Sequence, residues 1–388
     1  MFFIDRPYVS DFLVRTLKEN DYEVVATGIA KQLINDPSIN WITEEEAIRK
    51  LDVYPDVPVY TNSENSLTWM VSNIPGSELT QQLKLLKDKA RFRELFRSVF
   101  PDFHFQTFTP ATIHKVELNG VQFPFVVKPS VGFFSEGVMV INNETEWLSA
   151  KNELSVAKQG SRYPVEVLNN ATYIIEEYIR GEEYAIDYYY NRAGEVVILN
   201  ILHHRFLSAS DTSDRVYSTS KEIVLRHKLQ FEDFLAQVGQ KAGLRNFPAH
   251  AELRIDAGGN IQPIEINPLR YGGLCTTGDL PGIGIGYNSY NYYHKNMKPD
   301  WDMIYRDKTD KIYSLIVLNN NSGFEPEEIR KFDYDLLSRD FENPLLIRQM
   351  SIRDLPVFGF VFAETRKNNE AELENILVSD LKKYIITD

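Results

Sequence analysis

The sequence predicts a mixed α/β protein, and three stretches of its 388 residues carry that prediction. Near the start, the apolar run Phe2–Ile4, the helical spacing of Asp11–Lys18 and the apolar run Tyr22–Ala26 form a strand–helix–strand unit, which is typical of a small open α/β lobe. A cap signal and regular apolar spacing predict one long helix over Ser77–Ser98. Two alternating apolar runs around a Gly-Gly-Asn turn predict a β-hairpin over Ala249–Pro268.

The composition excludes several classes of protein. Hydrophobic residues make up 43% and charged residues 25%, as in ordinary soluble enzymes, and the length suffices for two or three lobes. The net charge of −13 argues against a nucleic-acid binder, because phosphate contacts need clustered Lys and Arg. Cys275 is the only cysteine, so no intrachain disulfide and no cysteine-based metal site can form. Without an apolar signal core or membrane-length run, we expect a cytoplasmic protein.

A lysine followed by a loop of small residues marks a candidate phosphate site. The apolar strand Phe123–Lys128 delivers Lys128 at its end, and the loop Pro129–Gly137 holds two serines and two glycines. Backbone N–H groups of such a loop can converge on a phosphate, with the lysine adding a full charge. A plain hairpin loop is the alternative. No P-loop motif and no Gly-x-Gly-x-x-Gly fingerprint at the first strand is present.

Two further strands carry charges in apolar surroundings. Tyr173–Tyr190 predicts two strands around an Arg-Gly turn, with Glu177 and Glu183 in positions that need a cation or ligand hydroxyls as partners. Surface ion pairing is the alternative for each glutamate. A following strand, Val196–Leu202, ends in a His-His-Arg cluster at 203–205 that could bind a substrate or serve as hydrogen-bonded structure.

The predicted hairpin places oxygen ligands on one patch. Because side chains alternate along a strand, Glu252 and Arg254 share one face of the first strand, and Glu265 and Asn267 share one face of the second. Two carboxylates and an amide oxygen suit Mg²⁺, which also keeps sites for water and phosphate oxygens. Ordinary solvated charges on a hairpin face are the alternative.

The remaining segments carry less specific signals. We expect a mobile Ser/Thr/Asp-rich loop over 208–221, a helix over Phe231–Ala242 and a flexible loop over Pro281–Gly286. The aromatic segment Tyr287–Tyr293 is a candidate for the substrate pocket, with core packing as the alternative. From Trp301 onward the pattern predicts a small C-terminal α/β element.

With these motifs in this order, the sequence resembles the ATP-grasp ligases between about Lys89 and Tyr290. The family places one lysine before the lid, a second lysine before a phosphate loop, an adenine hinge, and an acidic residue followed by Glu-x-Asn. Their counterparts here are Lys89, Lys128 with the loop 129–137, the segment Glu176–Glu183, and Glu252 with Glu265-Ile-Asn267. The order of all four motifs is specific, whereas each alone is not.

The resemblance implies an ATP-grasp fold with an N-terminal open α/β lobe, two nucleotide-clamping lobes and a small C-terminal element. The implied boundaries are 1–88, 89–190 with the lid, 191–300 with the metal and substrate residues, and 301–388. It also implies nucleotide-binding, metal-binding and catalytic residues. The nucleotide-binding residues are Lys89, Lys128, Ser130, Ser135, Gly137, Glu176, Glu177, Ile179 and Glu183; the metal ligands are Glu252, Glu265 and Asn267; the catalytic arginines are Arg254 and Arg270.

The chemistry that the resemblance implies is ATP-dependent ligation. A carboxylate would attack the γ-phosphorus of ATP to give an acyl phosphate, and an amine would then displace phosphate. ATP and two Mg²⁺ ions, or Mn²⁺ in their place, would be required. Within the family, the motifs of this sequence resemble those of the carboxylate–amine ligases for amino acids or small peptides. The resemblance also implies a possible homodimer. A phosphotransferase and a non-catalytic ATP-binding regulator are the alternatives.

Overall fold

The computed structural model describes six ranges of the chain: residues 1–54, 56–118, 120–132, 137–156, 172–207 and 214–387. The chain forms two compact units. The first unit combines Met1–Thr80 with Glu182–Asp388, and the second is Gln81–Gly181. The finer division into four parts stays a prediction. Within the described ranges, no helix is long and apolar enough to cross a membrane.

The first unit begins with a four-stranded parallel sheet flanked by helices. Its elements are β1 (Phe2–Phe3), α1 (Asp11–Glu19), β2 (Val24–Val25), α2 (Gly28–Leu33), β3 (Trp41–Ile42), α3 (Glu44–Val53), β4 (Tyr60–Thr61) and α4 (Asn65–Asn73). The strand order is β3-β2-β1-β4. Ser10, Thr27 and Thr43 begin the first three helices, because each side chain accepts a hydrogen bond from a backbone N–H of the first turn. The predicted strand–helix–strand unit is confirmed.

The second unit is a four-stranded antiparallel sheet with helices beside it. In chain order the elements are α5 (Glu78–Lys87), which starts in the first unit, α6 (Lys89–Leu95), β5 (Phe105–Phe108), a 3-10 turn over Pro110–Lys115, β6 (Phe125–Pro129), β7 (Met139–Ile141), α7 (Glu144–Val156) and β8 (Tyr173–Glu177). The strand order is β5-β8-β6-β7. Its core is built around the buried rings of Phe125 and Trp147, whose centroids lie 5.6 Å apart.

The single helix predicted over 77–98 is wrong, because the chain forms two helices with a break at Asp88. Asp88 has an extended backbone, and its carboxylate accepts hydrogen bonds from the N–H groups of Ala90 and Arg91. An aspartate can leave the helical ladder in this way because its short side chain satisfies the free donors at a new helix start. The break begins α6 at Lys89, one of the predicted nucleotide-binding residues.

The remainder of the first unit is built on an eight-stranded sheet. Its central elements are β9 (Glu182–Tyr190), β10 (Val196–Arg205), β11 (Val216–Thr219), α8 (Lys221–Ala242), β12 (Phe247–Ile255), β13 (Ile261–Pro268), α9 (Thr276–Leu280), a π-helical turn over Pro281–Ile285 and α10 (Ser289–His294). The final elements are α11 (Trp301–Ile304), β14 (Lys311–Asn319), β15 (Ile329–Phe332), α12 (Tyr334–Ser338), β16 (Pro344–Gln349), β17 (Val357–Arg366), α13 (Ala371–Leu377) and β18 (Ile385–Thr387), with 3-10 turns over Pro326–Glu328, Lys367–Asn369 and Lys382–Tyr384.

The order of the eight strands joins the C-terminal region to the centre. The sheet runs β13-β12-β9-β10-β11-β14-β17-β16, while β15 and β18 pair separately. The predicted mobile loop over 208–221 is wrong where it can be compared, since Val216–Thr219 is the strand that links β10 to β14. Residues 208–213 lie outside the described residues. The predicted flexible loop over 281–286 is also wrong, because Pro281–Ile285 is helical.

His294 gives the first unit a dependence on pH. Its ring stacks on Tyr22 at 3.9 Å and on Phe2 at 5.7 Å, and burial lowers its pKa to about 4. In the unfolded chain the pKa returns to about 6.5. Between these values the unfolded chain binds more protons than the folded protein, so the free energy of unfolding falls as the pH falls.

We predict that replacing His294 by Gln flattens this acid dependence. The urea midpoint of the parent protein should fall between pH 7 and pH 5 more steeply than that of His294→Gln, because the glutamine binds no proton. Urea unfolding at four or five pH values measures both slopes. Equal slopes in the two proteins would show that the imidazole is not held neutral.

Candidate functional site

The second unit contains a buried basic cluster around one carboxylate. Lys128 at the end of β6 and Arg93 on α6 bind the two oxygens of Glu176, a residue of β8. Lys128 Nζ lies 2.5 Å from Oε1, and Arg93 Nε lies 2.8 Å from Oε2. All three side chains are at least nine-tenths buried. Two predicted nucleotide-binding residues, Lys128 and Glu176, are therefore in direct contact.

The charged side chains of the cluster alter one another's pKa. Burial raises the pKa of Glu176, but Arg93 and Lys128 outweigh it and bring that pKa to about 2. Burial lowers the pKa of Lys128, and the neighbouring cations Arg93 and Lys89 lower it further against the opposing effect of Glu176. Lys89, Arg93 and Lys128 therefore repel one another at this point. An anion such as a phosphate group would relieve the repulsion among them.

Arg93 is a member of this cluster that the sequence interpretation missed. Its side chain is buried, as is that of Lys89 four residues earlier. Residues four apart share one face of a helix, so the buried position of Lys89 would have placed Arg93 on the same side. The exposed residues Arg91 and Arg97 carry the solvated charge instead.

The predicted phosphate loop is tied to the start of α6. The backbone N–H of Lys89 donates a hydrogen bond to the carbonyl oxygen of Ser130, with 2.8 Å between the nitrogen and the oxygen. The hydroxyl of Ser130 donates to the Asp88 carboxylate. Gly137 has a φ of +74°, a conformation that favours glycine. Ser135 lies outside the described residues. Hydrogen bonds therefore fix the first end of the loop at Ser130, and a positive φ marks its last residue, Gly137. The role of the loop in phosphate binding stays a prediction.

The predicted adenine hinge lies at the end of β8. Glu176 faces the basic cluster, while the next residue, Glu177, accepts a hydrogen bond from the backbone N–H of His104 at 3.2 Å. Ile179 is 8% exposed. The alternation of a strand explains why the two adjacent glutamates differ in environment. The assignment of the hinge to adenine stays a prediction.

In the first unit, the predicted hairpin forms and brings its acidic residues together. β12 and β13 pair with Glu252 directly opposite Glu265, and a β-bulge at Ile264 interrupts the register beside that pair. Asn267 donates its amide N–H to Glu265 Oε1 at 2.9 Å. Directly opposed residues share a face of the sheet, so both carboxylates and the amide lie on one patch. A bulge beside such a patch is common next to active sites.

The opposed carboxylates repel each other. Burial raises the pKa of Glu252 well above its ordinary range, and the negative charges of Glu265, Glu183 and Asp214 raise it further. Like charges directly opposite in a sheet are destabilising. A divalent cation between these oxygens would remove that penalty, and two carboxylates with an amide oxygen are the donors that Mg²⁺ takes in proteins. The residues present therefore fit the implied ion.

The candidate ligands on this patch number fewer than three carboxylates. Among them, no group of three or more His, Cys, Asp or Glu side chains is arranged to hold a metal ion. The predicted set contains two carboxylates and one amide. Mg²⁺ often uses one or two protein carboxylates and completes its shell with water and substrate phosphates. Asp256, by contrast, belongs to the hairpin turn, where its carboxylate accepts the N–H groups of Gly258 and Asn260.

Glu183 is held between two basic side chains on the same face of the sheet. Its Oε1 lies 2.9 Å from His204 Nδ1, and its Oε2 accepts a hydrogen bond from Arg254 Nε at 2.9 Å. Burial raises the pKa of Glu183, but His204 and Arg254 lower it on balance. Arg254 follows Glu252 by two residues on β12, and the hydrogen bond to Glu183 fixes the position of its guanidinium. The predicted contact of Glu183 with ribose hydroxyls stays a prediction.

Arg270 is anchored behind the hairpin. Its Nη2 donates to Glu64 Oε1 at 2.6 Å, and its Nη1 donates to the carbonyl of Tyr271 at 3.1 Å. Burial lowers its pKa, yet Glu64, Glu265 and Glu252 together raise it on balance. The guanidinium is therefore a permanent positive charge within the field of both hairpin carboxylates. That placement suits a group that meets an anionic substrate or phosphate.

His250, a buried histidine close to Glu252, was not predicted as a site residue from the sequence. His250 Nδ1 lies 2.7 Å from Asp187 Oδ1, and His250 Nε2 lies 3.7 Å from Glu252 Oε1. Both His250 and Asp187 are buried, at 3% and 0% exposure. The signal in the sequence was the alternation His-x-Glu on β12, which puts His250 and Glu252 on one face. The hydrogen bond to Asp187 fixes the ring orientation.

The two candidate substrate segments have different surroundings. The three residues at 203–205 have different partners. His203 contacts Glu182, and His204 contacts Glu183. Arg205 forms ion pairs with Glu370, which precedes α13, and with Glu374 of α13. Only His204 faces the candidate site. In the aromatic segment, Tyr287, Tyr290 and Tyr293 are buried and their hydroxyls donate hydrogen bonds inside the protein, as the core-packing interpretation predicts.

We predict that Arg93→Met destabilises the second unit while the matched exposed change Arg91→Met does not. Removing one partner of a buried ion pair costs about 3 kcal/mol or more, whereas an exposed pair contributes about 1 kcal/mol or less. Hydrogen exchange of β6 and β8, followed by mass spectrometry, measures the local opening free energy. Equal exchange in the two variants would contradict a structural role for Arg93.

Three comparisons with known proteins bear on this geometry. Residues 121–278 match the family model described as the ATP-grasp domain. No curated protein matches the sequence. Among solved structures, the L-amino acid ligase from Bacillus licheniformis is similar, with a TM-score of 0.71 and 16% identity over 100% of this chain and 98% of that chain.

Other similar structures carry ADP. The N5-carboxyaminoimidazole synthase from Aspergillus clavatus was solved in complex with ADP and 5-aminoimidazole ribonucleotide. It has a TM-score of 0.64 and 14% identity over 97% of each chain. The biotin carboxylase domain dimer of the 2-oxoglutarate carboxylase from Hydrogenobacter thermophilus, with MgADP and bicarbonate, has a TM-score of 0.65 and 12% identity over 100% of this chain and 90% of that chain.

At these identities, the likeness to solved structures establishes the fold, and the family model locates the domain within the sequence. The predicted mixed α/β fold of the ATP-grasp type is thereby confirmed. Residues 121–278 match the ATP-grasp domain model, and the chain has the fold of the ATP-grasp ligases.

Proposed function

We propose that the protein is an ATP- and Mg²⁺-dependent ligase that activates a carboxylate as an acyl phosphate and joins it to an amine. The observation that carries this proposal is the opposed pair Glu252 and Glu265 beside Asn267, with Arg254 and Arg270 anchored close to the pair. Phosphoryl transfer asks a protein mainly to position its substrates and to neutralise charge. Acidic metal ligands beside fixed arginines meet both needs.

Glu252, Glu265 and Asn267 would hold the Mg²⁺ ions. When bound, Mg²⁺ neutralises phosphate oxygens and orients the transferring group. Asn267 fixes the Glu265 carboxylate through its amide N–H, so that oxygen has a defined direction before any ion binds. The permanent charge of Arg270 would stabilise the developing charge on the acyl phosphate or the substrate carboxylate.

In the second unit, Lys89 and Lys128 would bind phosphate oxygens of ATP. Both lysines are buried, and the positive charges of Arg93 and Lys89 lower the pKa of Lys128, so that a nearby anion is favoured. Ser130 would hold the phosphate loop against the start of α6. The backbone at Glu177 and Ile179 would meet the adenine edge, and Glu183 would meet the ribose.

The substrate class that we propose is an amino acid or a small peptide. The similar L-amino acid ligase matches this chain over its whole length, which supports the proposal but does not extend to a particular acid or amine. A homodimer is compatible with the proposal. A phosphotransferase would use the same ATP site, but no feature of the described residues favours a non-carboxylate acceptor.

A phosphate-release screen of amino-acid pairs with ATP and Mg²⁺ tests the proposed reaction. A carboxylate–amine ligase releases ADP and phosphate when both an acid and an amine are present, and the joined product appears by mass spectrometry in equal amount. A phosphorylated product without free phosphate would contradict the proposal and indicate a phosphotransferase. ATP binding with no turnover for any pair would indicate a non-catalytic ATP-binding protein.

We predict that Glu265→Gln lowers the turnover rate by at least about 10²–10³, the usual loss when one electrostatic contact to a phosphoryl group is removed. The glutamine keeps the size of the side chain and can still accept a hydrogen bond from Asn267, so the fold should be retained. Steady-state ADP release, with circular dichroism as the control for folding, measures the effect. Near-normal Mg²⁺-dependent turnover in the variant would contradict the metal assignment.

We predict that His250→Asn weakens divalent-cation binding by about 10–100-fold, because residues that orient metal ligands typically contribute that much. An asparagine can still reach Asp187 but not Glu252. Electron paramagnetic resonance of Mn²⁺ titrated into the protein measures binding without turnover. His203→Asn is the matched control, since His203 belongs to β10 and faces away from the site. Unchanged Mn²⁺ affinity in His250→Asn would remove His250 from the site.

A further inference from the structure

The carboxyl edge of the N-terminal sheet has the topology of a ligand-binding crevice. From β1 the chain passes through α1 to β2 on one side, and from β3 it crosses back through α3 to β4 on the other side. The strand order therefore reverses at β1. In open parallel sheets, ligands bind outside the carboxyl ends of the strands at such a reversal.

A cavity of about 280 Å³ lies at this edge. Residues that directly follow β1 and β2, together with residues of α2, α3 and α4, form its walls. The walls that matter for recognition are Phe3 and Trp69, which are aromatic, and Asp5 and Glu44, which are acidic. The residues that line the cavity include no Lys, Arg or His. We call this space the edge cavity.

The aromatic and acidic walls are fixed relative to each other. The rings of Phe3 and Trp69 lie 4.7 Å apart, and Trp69 donates its indole N–H to Glu44 Oε2 at 2.6 Å. Asp5 is held by its backbone N–H, which donates to Asn62 Oδ1 at 2.8 Å, and its own Oδ1 accepts the N–H of Arg6. The edge cavity is therefore built from side chains that already have defined positions.

The charge of the edge cavity is uncompensated. Within the described part of the chain, neither Asp5 nor Glu44 forms an ion pair with a Lys, Arg or His side chain. Two carboxylates in a partly enclosed, largely apolar space favour a cation as occupant. An aromatic face beside them attracts an organic cation as well, through the quadrupole of the ring.

We propose that the edge cavity binds an organic ammonium compound, a primary amine attached to an aromatic or branched aliphatic body. The ammonium group would contact the Asp5 and Glu44 carboxylates, and the apolar body would pack on Trp69 and Phe3. A phosphate or carboxylate ligand is disfavoured by the two negative charges. A bare metal ion is disfavoured because the two carboxylates belong to no group of three or more His, Cys, Asp or Glu side chains among the described residues, and the aromatic walls add no ligand. This site is distinct in its residues from the ATP and Mg²⁺ residues and does not depend on the proposed ligase activity.

Isothermal titration of the full-length protein with phenethylamine, in the absence of ATP, tests the proposal. Two probes with the same phenylethyl body separate charge from shape: 2-phenylethanol is neutral, and 3-phenylpropionate is an anion. We expect saturable binding of phenethylamine, with at least tenfold weaker binding of both other probes. Absence of saturation, or equal binding of the amine and the alcohol, would overturn the proposal.

Variants locate the binding in the edge cavity. Glu44→Gln keeps an acceptor for the Trp69 indole and removes only the charge, and Asp5→Asn does the same at the other wall. We expect each to weaken phenethylamine binding by about tenfold or more, since charge-assisted hydrogen bonds are lost. The matched control is Glu45→Gln, an exposed neighbour on α3. If Glu44→Gln and Asp5→Asn bind phenethylamine as tightly as Glu45→Gln does, with unchanged thermal midpoints, the edge cavity is not the binding site.

Discussion

One unfavourable interaction determines the character of the candidate site in the first unit. Glu252 and Glu265 lie directly opposite each other across the hairpin of β12 and β13. Nothing in the stability of a sheet favours two carboxylates at directly opposed positions, and burial increases the cost, as the raised pKa of Glu252 shows. A protein can retain such a pair when another state recovers the loss, and we propose that the cation-bound state does so here. The bulge at Ile264 fixes the register that keeps the two carboxylates opposite each other.

The neighbouring side chains hold this pair in place. On one side of Glu252, His250 is oriented by Asp187; on the other, Arg254 is oriented by Glu183. Each of these contacts joins β12 to β9, so the pairing of the central sheet determines the geometry of the site. In the second unit the signs are reversed, because the cations Lys128 and Arg93 both bind the carboxylate of Glu176. One group of residues is suited to a cation and the other to an anion.

Much of this site could be predicted from local sequence patterns. The hairpin was predictable because alternation and a Gly-Gly-Asn turn determine which residues share a face, and this placed Glu252, Glu265 and Asn267 together. Partners that come from distant strands were not predictable. Asp187 precedes His250 by 63 residues, and the contact of Arg93 with Glu176 spans 83 residues. The break at Asp88 was missed because an apolar pattern runs through it, although the side chain caps a new helix. The pairing of β14 with β11, which connects the C-terminal strands to the central sheet, also joins segments distant in sequence and could not be predicted from local patterns.

The thermal stability of Glu252→Gln, with and without excess Mg²⁺, tests the central claim most directly. If the carboxylate pair is unfavourable until a cation binds, the variant should unfold at a higher temperature than the parent protein when no divalent cation is present. Mg²⁺ should then raise the midpoint of the parent protein and leave that of the variant unchanged. A variant that is less stable than the parent without Mg²⁺, or an equal Mg²⁺ effect on both proteins, would contradict this account of the hairpin.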